Sequence, residues 1–352
     1  MKIAQVNESD VSSGGVEPGE AEIGTLSSLS GDSERSSGGE FSSRILASNG
    51  DIGALRTAAV LRENEWREYD QAVVNIARDQ FSLVTDMMAN GMRRKLNNAL
   101  ATTQLVWDRV GDLDDAQIDM TGEATDIRDR LEFGQDSMPV PIVHKGFRLN
   151  IRHLMASRRN GTGLDVRHAE VATEKVVQTI EKMFLYGNFS AGLGAGRVYG
   201  MTTYPYRSVG ALTASWLTAT AAQIFTDVNA MVAALEAKGQ FGPYGLYIPR
   251  AYAPRLRDDY DRTTASGASI LKRIMEIDAI KYVKTNVYLP TNNVVLINLR
   301  SSTAEALDGI QPRMIEWSTH GGMVMVFKVM AIILPRIKRD ALDQTGIAHF
   351  SI

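Results

Sequence analysis

The sequence contains no cysteine, which excludes disulfide frameworks, thiolate zinc sites and cysteine nucleophiles together. Histidine is scarce, at five in 352 residues. His144, His153, His168, His320 and His349 show no H-E-x-x-H or comparable ligand spacing. No G-x-S-x-G elbow accompanies the many serines. The adjacent carboxylates Asp114–Asp115 and Asp258–Asp259 could hold a hard cation, but in polar surroundings they read first as solvated loop. No apolar run approaches the roughly 18 residues that crossing a bilayer takes, and the start of the chain lacks the basic-then-apolar layout of a signal peptide. A cytosolic product without membrane attachment is expected, with no catalytic residue, metal or cofactor.

A strong charge of either sign is also missing, since 38 Lys and Arg meet 41 Asp and Glu for a net −3. The distribution is less even than the sum. Residues 1–50 hold Lys2, Arg35 and Arg44 against eight acidic residues, so this arm is −5 and the remainder +2. Leu105 to Asp136 carries ten acidic residues against Arg109, Arg128 and Arg130. A hydrophobic fraction of 44% and a charged fraction of 22% are ordinary for a soluble globular chain, and the length is within reach of one elaborated domain.

The most informative stretch runs from Pro139 to Gly187. Val140, Ile142, Phe147, Leu149 and Ile151 alternate loosely, which suits a half-exposed strand. A basic hairpin with Arg152, Arg158 and Arg159 follows. A long helix is then predicted from the N-cap Asp165 through Val166, Ala169, Val176, Ile180 and Met183 to Gly187, a left-handed C-terminal cap. Upstream, residues 1–48 are Ser- and Gly-rich and expected to be disordered alone, or to order only against neighbours. From Ala54 to Thr102 the pattern is helical, with a near-heptad seam through Trp66, Tyr69, Val73, Ile76, Leu83 and Met87 and a break at Gly91. That seam fits packing within the subunit first and a coiled coil second. Downstream, a helix over Ala221–Lys238 closes at Gly239 and a strand over Tyr244–Ile248 ends at Pro249. Short helices follow from Ala251 and over Ile270–Glu276, then strands over Ile280–Lys284 and Asn293–Leu299. A hairpin is predicted from Met314–Trp317 and Met323–Leu334, joined by Thr319–Gly322.

The stretch from Pro139 to Gly187, the segment GPYGLYIPRAYAPRL at Gly242–Leu256 and the C-terminal strand pair at Gln311–Ser318 and Met323–Pro335 together resemble the encapsulin shell proteins and their tailed-phage capsid relatives. LRENEWREYDQAVV is similar to the N-terminal helix of encapsulins. The resemblance implies an α+β chain with the Hong Kong-phage capsid fold. It divides into a flexible arm (1–53), an N-terminal helical segment (54–104) and an extended loop (105–152). A peripheral domain with a spine helix (153–218), an apical domain (219–308) and C-terminal strands returning to the peripheral domain (309–352) follow. The implied function is that of a major capsid protein, assembling in pentamers and hexamers into an icosahedral shell around viral DNA. The alternative is an encapsulin nanocompartment enclosing cargo protein. An enzyme using Gly192, Gly194 and Gly196 as a cofactor loop is the weaker reading, because no strand leads into that segment and no Lys-Ser/Thr follows.

Implied partners are many copies of the chain, packaged DNA held on the inner face without sequence specificity, and cement, scaffold and portal proteins. The implied location is the virion, after assembly in the host cytoplasm. The family layout makes the acidic run a loop that lies across a neighbour. Asp112, Asp114, Asp115 and Asp119 are therefore candidate inter-subunit contacts, with Arg148, Arg152, Arg158 and Arg159 as their basic counterparts. Some tailed-phage relatives cross-link a lysine to an asparagine. Lys145, Lys281, Lys284 and Lys328 and Asn286, Asn292, Asn293 and Asn298 are present, but nothing in the sequence selects a pair.

Overall fold

The structure, a computed structural model, describes residues 63–111, 120, 133–160, 166–188, 197–260 and 268–352. The Ser/Gly-rich arm, the acidic residues Asp112, Asp114, Asp115 and Asp119, Asp165 and the Gly192–Gly196 segment lie outside them.

Two helices open the described chain, α1 (Glu63–Gln80) and α2 (Leu83–Ala89), followed by the short strand β1 (Arg93–Lys95). Tyr69, Val73 and Ala77 recur every fourth residue on α1 and are all buried, joined by Leu83 and Met87 of α2. The apolar seam therefore packs within the subunit. The helical stretch ends at Ala89, short of the expected Thr102, because Gly91 adopts φ +78° and Met92 N–H closes on the Met87 carbonyl at 3.1 Å.

β2 (Gln104–Val110) and β3 (Phe133–Pro139) form a separate antiparallel ribbon, and β4 (Val143–Asn150) leaves it to join a four-stranded sheet. The predicted basic hairpin is instead a helix, α3 (Ile151–Asn160). Leu154 on its inner side is wholly buried, and that contact favours helix where the arginines alone gave no period. The long helix α4 (Arg167–Tyr186) follows as expected, with Ala169, Val176, Ile180 and Met183 buried. Its N-cap is Val166, which makes no side-chain cap. Gly187 ends it at φ +73°, ψ −168°, a region open essentially to glycine alone.

The second sheet has the order β5-β11-β8-β6-β7, with β5 at Ser208–Ala211, β6 at Tyr244–Pro249, β7 at Ile280–Asn286, β8 at Asn293–Asn298 and β11 at Ile347–Ser351. Helix α5 (Ala221–Glu236), opened by a Thr220/Gln223 capping box, and the short helices α6 (Ala253–Leu256) and α7 (Ile270–Met275) belong to the same layer system. The C-terminal residues were expected to return to the peripheral sheet. β11 instead lies in this second sheet, parallel to β5 and antiparallel to β8. Four consecutive buried residues, Ile347 to Phe350, suit a strand covered on both faces.

Two long strands, β9 (Ala304–Thr319) and β10 (Val324–Ile337), complete the first sheet in the order β1-β9-β10-β4. Their turn places His320, Gly321 and Gly322 all at positive φ, as the glycine pair there predicts. One core joins α1, α2 and α4 to this sheet, and a second fills the space between α5, α7 and strands β6, β8 and β11. Ring stacking runs through the first core from Tyr69 to Phe327 (5.8 Å), on to Phe147 (5.0 Å) and His168 (5.9 Å), tying α1, β10, β4 and α4 together.

Candidate assembly surfaces

The β2–β3 ribbon pairs residue by residue from Gln104 with Pro139 to Val110 with Phe133. The chain therefore leaves β2 into residues 111–132 and re-enters β3 at the paired end of the same ribbon. Eight of the ten acidic residues of the run fall in that segment, with Arg128 and Arg130.

From its middle toward residues 111–132 the ribbon is clasped to the body. Arg339, after β10, donates from Nη2 and Nε to Asp136 on β3 at 2.9 and 3.3 Å, and from Nη1 to Asp343 at 2.8 Å. Arg109 on β2 donates to the same Asp343 oxygen at 2.7 Å. The guanidinium of Arg339 also lies over Tyr206, 4.4 Å from the ring centre, and Arg336 lies over Trp107 at 4.8 Å. A cleft of about 260 Å³ separates the ribbon from the body here, between Trp107 and Met138 on one side and Tyr199, Tyr204 and Pro335 on the other. Asp136 and Arg339 are 203 positions apart, so no local pattern announces the clasp.

The basic candidates fall on another surface. Arg148 is exposed on β4, and Arg152 and Arg159 are exposed on α3; Arg158 belongs to the same helix. Arg148, Asn150, His153 and His168 line an open groove of about 600 Å³ where β4, α3 and α4 meet. Among the described residues no carboxylate lines this groove. Arg148, Arg152 and Arg159 are thus brought onto neighbouring elements, whereas the aspartates expected to meet them lie outside the described residues.

Between the N-terminal helices and the second sheet lies a buried polar cluster that sequence reading missed. Glu181 on α4 is wholly buried, and its carboxyl accepts from Ser82 N–H at 2.8 Å, Val84 N–H at 3.3 Å and Leu83 N–H at 3.4 Å, capping α2 from across the core. Desolvation pushes its pKa up to about 7 against these amides, with the charge of Asp86 adding to the rise. Asp86 pairs with Lys284 and accepts from Tyr247 at 3.5 Å, and the Tyr247 hydroxyl lies 2.8 Å from that of Tyr282. Burial holds the Tyr247 hydroxyl far above the ordinary phenol range.

Two of the histidines carry structural contacts. His349 lies between Arg207, which donates to Nδ1 at 3.3 Å, and Asn293, 2.8 Å from Nε2; burial, and then the Arg207 charge, push its pKa down to about 4. His168 stacks on Phe147. Asp258 is paired with Arg255 at 2.7 Å. Among the described residues no group of three or more His, Asp or Glu is placed to hold a metal ion, and no helix is long and apolar enough to cross a membrane.

Residues 56–315 match the model of a family described as a family of unknown function, DUF6260. The chain belongs to that family. This DUF6260 protein is 25% identical over 239 residues to the type 1 encapsulin shell protein EncA of Myxococcus xanthus (strain DK1622), which covers 66% of the present chain and 74% of EncA. Its structure superposes on that of the virus-like particle from Pyrococcus furiosus with a TM-score of 0.57 at 16% identity, covering 82% of this chain and 99% of the other. It superposes on the capsid of Myoviridae phage XM1 with a TM-score of 0.58 at 11% identity, covering 75% and 91%. The DUF6260 protein therefore has the Hong Kong-phage capsid fold, as the sequence resemblance implied.

Proposed function

We propose that this protein is a major capsid protein, a structural subunit that assembles in many copies into an icosahedral shell around viral DNA. The observation that carries the reading is the ribbon. Two strands that pair with no other strand among the described residues are marginal alone and leave both outer edges open to another chain. Val106 on the ribbon is 48% exposed. The fold supports a subunit whose exposed elements are completed by neighbours. A second reading, an encapsulin shell enclosing cargo protein, is favoured by the match to EncA across three-quarters of that protein's length. In both readings the role is structural and not enzymatic.

The six-part division expected from the sequence serves as the working organisation of this subunit, with β11 reassigned to the second sheet. Its location would be the virion, with assembly in the host cytoplasm and with scaffold, portal and cement proteins as further partners. In the shell, Asp112, Asp114, Asp115 and Asp119 of one copy would pair with Arg158 and Arg159 of the next, supported by Arg148 and Arg152. Exposed pairs contribute about 0–1 kcal/mol each, but a closed shell repeats the term at every subunit.

The full chain, expressed and purified, is expected to form hollow closed particles by light scattering and negative-stain microscopy. Protein that stays monomeric or dimeric at high concentration, with and without scaffold, would sink both readings. Neighbouring terminase and portal genes, or a nucleic-acid absorbance ratio in the particles, separate capsid from nanocompartment. Reversing Arg158 and Arg159 to Glu should weaken assembly with helicity intact, and Lys at the four aspartates should partly restore it. No rescue beyond the sum of the two changes would refute the pairing.

A further inference from the structure

Although the chain as a whole is slightly acidic, its charges are sorted by surface. From Val143 to Lys182 no carboxylate among the described residues is exposed; Glu170 and Glu174 are half-buried and Glu181 is buried. The solvent-facing side of α4 carries Arg167, Val171, Lys175, Thr179 and Lys182. At 100° per residue these five fall within about 120° of the helix circumference. Lys175 and Lys182 lie almost on one line, about 10.5 Å apart at the helical rise. Lys182 is held over the Tyr288 ring, 5.4 Å from its centre, and Lys175 Nζ donates to Gln178 at 3.2 Å. Neither lysine is matched to a carboxylate in the ion pairs of the described residues.

We infer that the outer stripe of α4, centred on Lys175 and Lys182, is a contact surface for the phosphate backbone of duplex DNA. The inference deepens the shell reading and rests on it, by naming the residues that meet the enclosed polyanion. The chemistry fits a backbone and not a base sequence. A B-form duplex carries one negative charge per about 1.7 Å of axis, so two ammonium groups about 10 Å apart find phosphates in any register. Lysine is a compact point charge on a flexible stem, suited to such contacts. Val171 and Thr179 between the cations offer no donor array for reading base edges. The stripe is also distinct from the arginines of β4 and α3 assigned above to the acidic run, so one subunit can make both contacts.

The test uses the full chain at a concentration below its assembly threshold and a mixed-sequence 20-base-pair duplex, with affinity followed by fluorescence anisotropy at a series of NaCl concentrations. Each phosphate neutralised contributes about 0.9 to the slope of log K against log salt. Lys175→Gln with Lys182→Gln should therefore flatten the slope by about 1.8, and Thr179→Lys should steepen it by about 0.9. Lys272→Gln, at an exposed lysine of α7 and with the same change in net charge per site, should leave the slope alone. All three side chains on α4 are exposed, and circular dichroism checks that the variants fold. An unchanged slope in the double variant, or an equal loss with Lys272→Gln, overturns the inference. If the double variant instead loses capsomer association while DNA binding persists, the stripe docks a protein surface and the inference also falls. Particle formation, scored separately by microscopy, reports on the shell reading itself.

Discussion

Replacing Glu181 by Gln should make the isolated subunit more stable in mildly alkaline solution while leaving it nearly unchanged in mild acid. Two effects compete at this carboxyl. Three amides point at it, and hydrogen bonds to an ionised acceptor contribute about 1.5–3 kcal/mol when well made. Only the Ser82 bond, at 2.8 Å, is short; those from Val84 and Leu83 are 3.3 and 3.4 Å. Against them stand complete burial and the neighbouring Asp86, and desolvation wins, raising the pKa from 4.5 to about 7. Because the folded value is raised, the stabilisation linked to the bound proton is fully present below about 4.5 and lost as pH rises through about 7. A displacement of that size corresponds to about 3 kcal/mol. Gln keeps an oxygen for Ser82 N–H without the charge. Urea unfolding of both proteins at pH 5 and pH 8 provides the assay, the variant-minus-wild-type difference cancelling every other titrating group. The gap should open by about 3 kcal/mol at pH 8, or roughly 1 M in midpoint for a chain of this size. A variant less stable than wild type at pH 8, or a gap that does not change with pH, would refute the reasoning, because the carboxylate would then be the preferred state.

Gly200→Ala should abolish folding or nearly so, since its Cβ would stand 2.3 Å from Gly187 N and 2.5 Å from Leu185 O, backbone atoms at the end of α4 that cannot step aside; soluble yield and near-ultraviolet circular dichroism check it. Asp227→Ala removes the acceptor of the buried Trp216 indole N–H at 2.9 Å and of Thr213 N–H at 3.0 Å, and is expected to cost about 2–4 kcal/mol, read from the urea midpoint; a loss under 1 kcal/mol would mean that those donors find other partners. Arg339→Met should remove the bridge from Asp136 on the ribbon to the body while keeping the side chain's apolar bulk and the Arg109–Asp343 pair, so limited proteolysis should cut within residues 104–139 sooner, with the rest of the chain protected as before. Equal cutting rates would show that the Arg109–Asp343 pair and the contacts of Trp107 and Met138 hold the ribbon without Arg339.

Local signals in the sequence determined the elements whose stability is local. The four-residue repeat of Tyr69, Val73 and Ala77, the apolar face of α4, and Gly91, Gly187 and Gly239 at positive φ just past three helices were legible because periodicity and backbone permission need no distant partner. So were Pro249 at the end of β6 and the Thr319–Gly322 turn between β9 and β10. Tertiary structure decided what depended on remote residues. Residues 151–160 are a helix because Leu154 is buried against the core, although the arginines around it suggested a turn. Ile347–Ser351 is five residues long, too short to declare a period, and became a strand of the second sheet because β5 and β8 leave a place between them. Glu181 caps a helix 97–99 positions earlier, and Arg339 clasps a strand 203 positions away. Sequence reading placed a carboxylate on a helix and an arginine after a strand; only the folded chain supplied the amides that the first accepts from and the aspartates that the second holds, because such contacts depend on proximity in space and leave no spacing along the chain.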